Sequence, residues 1–77
     1  MTQQHFFLIQ KTVRGQRLRT RLALKNVIVT ADDYEQSARF LGEDFPGWDV
    51  SMYWPWTKDH RPHPDIKYTY INRQYRD

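Results

Sequence analysis

The sequence predicts an α+β fold: a single-layer antiparallel sheet with one helix across one face, in the order β-β-α-β-β. Three observations carry that prediction. Residues 17–25 alternate strictly between basic and apolar side chains just after a glycine turn. Residues 30–45 place apolar side chains at helical spacing behind an acidic start. Two more alternating stretches, 48–54 and 66–73, flank a segment rich in proline.

The first two strands form a hairpin over residues 5–25. Arg17, Arg19, Arg21, Ala23 and Lys25 share one parity, and Leu18, Thr20, Leu22 and Leu24 the other. Successive strand residues point to opposite faces, so one face is basic and the other apolar. Residues 5–13 are apolar on both parities, and the turn has to fix the register. A two-residue turn at Gly15-Gln16, with glycine where positive φ is needed, pairs Arg14 with Arg17. Val13 then meets Leu18, Lys11 meets Thr20, Ile9 meets Leu22 and Phe7 meets Leu24. Phe6, Leu8, Gln10 and Thr12 join the basic face.

Lys25-Asn26 interrupts the alternation, which predicts a bulge near Asn26 before the strand ends at Val29. Thr30 then reads as a helix cap, with Asp32, Asp33 and Glu35 at the positive end of the helix dipole. The sheet-facing stripe is Ala31, Tyr34, Ala38, Leu41 and Phe45, with Phe40 at its margin. Gly42 is a C-terminal cap or a weak point, and Pro46-Gly47 ends the helix. In the third strand Trp48, Val50, Met52 and Trp54 face the helix, and Pro55 marks an edge. Residues 55–65 are a loop, and Ile66 to Arg73 a last strand. Residues 1–4 and 74–77 are frayed ends of a single domain, 1–77, without repeats or linker.

A chain of 77 residues buries only about 60–65% of its unfolded surface. That leaves room for one sheet and one helix, not for a cleft between lobes. With no cysteine, disulfides and thiolate metal sites are excluded, and aromatic residues supply much of the core. No apolar run approaches a membrane span and no signal-peptide layout is present, so the expected location is cytoplasmic, with no membrane partner.

Net charge is +3, but its distribution is uneven. Residues 11–25 hold Lys11, Arg14, Arg17, Arg19, Arg21 and Lys25 with no acid, whereas residues 32–49 hold Asp32, Asp33, Glu35, Glu43, Asp44 and Asp49 against Arg39 alone. Arginines two apart on a strand repeat at about 6.6–7 Å, near the spacing of phosphates along one nucleic-acid strand. Arg17, Arg19, Arg21 and Lys25 are therefore the candidate contacts to nucleic acid or a nucleic-acid-handling complex. Phe6, Tyr53 and Trp56 are candidate stacking or anchoring surfaces. The bland reading of the same charges is a solvated strand face that resists edge pairing. The acidic set Asp32, Asp33, Glu35, Glu43 and Asp44 is a candidate face for a basic protein partner. The uncovered sheet face, with Phe6 and Leu8, is a candidate homodimer contact.

Catalytic signals are thin. His60 and His63, flanked by Asp59 and Asp65, have prolines where a metal-holding helix is needed. Asp65 and Lys67 would need Asp49 on a neighbouring strand to build a magnesium nuclease site. No phosphate loop or nucleophile elbow is present. The reading is a non-enzymatic binding protein with no cofactor and no metal.

The arginine-rich hairpin, the stretch Val29-Thr30-Ala31-Asp32-Asp33-Tyr34-Glu35-Gln36-Ser37-Ala38 and then Phe45-Pro46-Gly47-Trp48-Asp49-Val50 give a layout that resembles small phage-encoded proteins. These are the phage RNA-polymerase inhibitors and compact anti-CRISPR proteins. The resemblance covers residues 17–54. It implies a phage or mobile-element protein that occupies the nucleic-acid path of a host machine or blocks its assembly, without catalysis. It assigns no role to an individual residue.

Overall fold

The computed structural model describes residues 2–15, 19–55, 57 and 61–73. The elements follow the expected order: β1 (Gln3–Arg14), β2 (Thr20–Ala31), α1 (Tyr34–Asp44), β3 (Asp49–Pro55) and β4 (Tyr68–Asn72). They build one four-stranded sheet in the spatial order β3-β1-β2-β4. β1 pairs antiparallel with β2 and β3, but β4 runs parallel to β2, so the sheet is mixed rather than purely antiparallel. Alternation reveals a strand but not its neighbour. Laid against β2 instead of β3, the last strand takes the opposite sense.

The β1–β2 register differs from the expected one. Phe7 meets Val27, not Leu24, and Arg14 meets Thr20, not Arg17. The connection therefore runs through residues 15–19, with the Gly15 amide donating to the Arg19 carbonyl, and is not a two-residue turn. An odd shift transposes every β2 side chain to the other face. The shift is favourable because it brings the Val27-Ile28-Val29 run, rather than the leucines, opposite Phe7, Phe6 and His5. All three residues of that run are buried, as expected of a central strand covered on both sides. β2 continues through Asn26 to Ala31, and the irregularity lies instead in the β1–β3 pairing, between Leu8 and Ile9.

The core on the helix side contains Phe7, Ile9, Val27, Val29, Ala31, Leu41 and Ile71, with Phe40, Phe45, Trp48 and Tyr53 packed around it. Asp33, not Thr30, caps α1: its carboxylate accepts from the Gln36 amide at 2.8 Å, while the Gln36 side chain accepts from the Asp32 amide at 2.7 Å. This reciprocal bonding satisfies donors that the first turn leaves open. Ser37 and Leu41 are the buried helix positions, and the Ser37 hydroxyl donates to the Tyr34 carbonyl. Tyr34 remains half exposed, yet its ring packs edge-on to Tyr53 at 4.8 Å. Gly42 sits inside the helix, which ends at Phe45. Gly47 then turns the chain at φ +87°, a conformation open to glycine at little cost.

The irregularity splits β3: Val50, opposite Ile9, and Trp48, packed on the core, keep the expected helix side, but beyond it the faces are transposed relative to expectation. Tyr53 opposite Phe7 is on the helix side, whereas Met52 and Trp54 lie with Leu8 and Phe6 on the other face. That second face is not wholly open. Phe6 and Ile28 are buried there, with Tyr68 edge-on to Phe6 at 6.4 Å. The chain passes from the β3 edge to the β4 edge, and Ile66, near the end of that connection, lines a cavity of about 120 Å³ with Phe6, Trp54 and Tyr68. Farther along the same face Leu22 and Leu24 are 55% and 57% exposed.

Candidate nucleic-acid interface

β3 pairs with β1 only as far as Gln10, and β4 pairs with β2 only from Asn26 onward. Beyond these points, among the described residues, the two long strands pair with each other alone, from Lys11 opposite Ala23 to Arg14 opposite Thr20. A two-stranded ribbon thus projects from the sheet, in keeping with overall dimensions of 48 × 28 × 18 Å.

The register sorts its side chains. Lys11, Val13, Arg21, Ala23 and Lys25 share the parity of the helix-side core residues Phe7, Ile9, Val27 and Val29. Thr12, Arg14, Thr20, Leu22 and Leu24 lie on the reverse. The expected arrangement, arginines on an open face and leucines beneath the helix, is therefore corrected. Arg21 and Lys25 belong to the helix side, but Arg21 stands past the end of the helix on the ribbon. Arg19 adjoins the ribbon's end, and Arg17 lies outside the described residues, as does Trp56.

The cations divide by position. At the root, Lys25 places its ammonium 5.8 Å above the Phe45 ring, and Lys11 lies beside Gly47. The last turn of α1 has no basic residue of its own, so these two lysines supply positive charge near its negative end. Toward the tip, Arg14 and Arg21 border an open groove of about 590 Å³ together with Val13, Gly15 and Ala23. Among the described residues, no carboxylate pairs with Lys11, Arg14, Arg19, Arg21 or Lys25. Lys11 was hidden from sequence reasoning because the two-residue turn placed it among the leucines.

The aromatic candidates have structural work. Phe6 is 2% exposed and on the opposite face from Arg21 and Lys25, so it is no stacking surface beside them. Tyr53 packs against Phe7 at 5.0 Å between ring centres, and its hydroxyl lies 2.7 Å from His5 Nδ1. Burial raises the Tyr53 pKa, with a smaller push from Tyr34.

Two of the acidic candidates are engaged within the molecule. The Arg73 guanidinium donates to Glu43 and to Asp44 while lying 4.9 Å over the Phe40 ring. These bonds, that to Glu43 foremost, raise the Arg73 pKa. Asp33 caps the helix, so Asp32, Asp33 and Glu35 gather at the N-terminal end of α1 and Glu43 and Asp44 at the other.

The proposed magnesium set does not assemble. Asp49 begins β3 and Asp65 precedes β4, and these strands occupy opposite edges of the sheet. His63 braces its own loop: its ring Nδ1 accepts from the Asp65 amide and its main-chain amide donates to the Tyr68 hydroxyl, both at 3.1 Å. His60 lies outside the described residues. Among the described residues no group of three or more histidine or acidic side chains is placed to hold a metal, and no helix is long and apolar enough to cross a membrane. Comparison with protein-family models, curated proteins and solved structures finds no match for this chain.

Proposed function

We propose that the protein is a non-enzymatic nucleic-acid-binding module that grips duplex DNA with its projecting ribbon. The observation that carries this reading is the set Arg14, Arg19 and Arg21 near the tip, backed by Lys11 and Lys25 at the root, with no carboxylate partner among the described residues. Unpaired cations on a narrow projection release counterions when they meet phosphates, which is the main source of sequence-independent affinity. A two-stranded ribbon also fits the major groove of B-form DNA, about 12 Å wide. The deep, narrow major groove of A-form RNA does not admit it.

The resemblance of the sequence's layout to small phage-encoded proteins supports the same class, a partner of nucleic-acid machinery. Capture of a basic protein by the acidic helix is less well supported, because Glu43 and Asp44 already accept from Arg73.

The test is fluorescence anisotropy with a labelled duplex across a salt series. Each of Arg19→Gln and Arg21→Gln is expected to weaken binding to any sequence and to reduce the log–log salt slope by roughly 0.9. No binding by the unaltered protein at low salt, or slopes unchanged in both variants, overturns the reading.

A further inference from the structure

We infer a second anion site, off the ribbon, that takes a phosphate group between β2 and β4. It occupies a pocket of about 240 Å³ lined by Leu24, Lys25, Asn26, Lys67 and Thr69. The topology creates this pocket. Pairing of β4 with β2 begins at Asn26 opposite Tyr68, so the edge of β2 before Asn26 has no strand beside it. Lys67, immediately before β4, stands next to that opening.

The lining is rich in donors. Two lysines from separate chain segments, Asn26 and Thr69 line it, and none of its lining residues is acidic. The acids at the end of α1 are taken: Glu43 and Asp44 bind Arg73. Lys25 is held in place across the Phe45 ring. Two cations on adjoining segments suit a doubly charged tetrahedral group, which accepts from several directions at once, better than a singly charged planar carboxylate. The inference does not rest on the ribbon's binding DNA, since Lys67 and Thr69 lie on or beside β4.

The phosphate has two possible sources, free phosphate and the terminal phosphate of a nucleic-acid strand, and the experiment separates them. Amide resonances of Asn26 and Thr69 are followed by NMR during titration with inorganic phosphate, then with chloride or acetate at matched ionic strength. Saturable shifts specific to phosphate are expected, weakened about fivefold by Lys67→Gln and retained by Lys67→Arg. A single-stranded oligonucleotide bearing a 5′-phosphate is compared with its 5′-hydroxyl form. Tighter binding of the former, lost in Lys67→Gln but kept in Arg21→Gln, assigns the site to strand ends. Equal binding of the two, with saturable phosphate shifts, assigns it to free phosphate. Shifts that do not saturate, or that chloride or acetate reproduces, overturn the site, whatever the ribbon does.

Discussion

At the scale of single residues, His5 couples stability to pH although it is almost wholly buried. It is 1% exposed, Nδ1 meets the Tyr53 hydroxyl, and Nε2 is buried with no hydrogen-bond partner among the described residues. Desolvation lowers its pKa from the ordinary value of 6.5, against smaller opposing contributions from the Ala31 backbone and the Asp33 carboxylate. The folded protein therefore binds this proton less readily than the unfolded chain does. Above pH 6.5 both states hold a neutral ring and nothing is lost. As pH falls below that value the unfolded state takes up the proton first, and stability declines until the folded ring titrates. Thermal unfolding followed from pH 7.5 to about 5 should show this decline. In His5→Gln the step should be absent, even if the variant is less stable throughout. An identical pH profile in both proteins would assign the acid sensitivity to other groups.

At the scale of elements, the sequence made every segment visible but not every partner. The helix and its end were legible because Leu41 and Pro46-Gly47 act locally, within a turn or two of the chain, although the cap is Asp33 and not the expected Thr30. The hairpin register was not, because alternation in β2 is equally consistent with either face being buried. Its basic parity contains Ala23 and leads on to Val27 and Val29, and these residues, not the arginines, decide which side meets the helix. The site suffered for the same reason. The arginines were identified as a set, but their face depends on the β1–β2 register, and the division of the cations into tip and root on how far β3 and β4 extend. Substitution distinguishes the registers directly. Leu24→Ala, at an exposed position, should change stability by less than about 1 kcal/mol. Ile28→Ala, at a fully buried one, should cost about 2–5 kcal/mol. Comparable losses in denaturant unfolding would restore the register with Leu24 under the helix.

At the scale of the whole molecule, charge and stability are separated along the long axis. The four-stranded end holds the buried core, whereas the ribbon holds cations without a carboxylate partner among the described residues, on a two-stranded ladder, a construction that is marginal in isolation. Like charges there oppose the fold, and their repulsion is screened over about 10 Å at 0.1 M salt. Salt should therefore act on the ribbon with two opposite signs. Raising it weakens DNA binding by reducing the gain from counterion release, while it firms the ribbon by quieting repulsion among Lys11, Arg14, Arg19 and Arg21. Hydrogen exchange of the Lys11, Val13, Arg21 and Ala23 amides, which bond across the ribbon, measured over the salt series used for binding, reads the second effect. Protection should rise a few-fold as affinity falls, while the Phe7 and Val27 amides remain protected throughout. Protection that fell with affinity would mean that salt melts the binding element, and the salt slope would then measure unfolding and not phosphates neutralised.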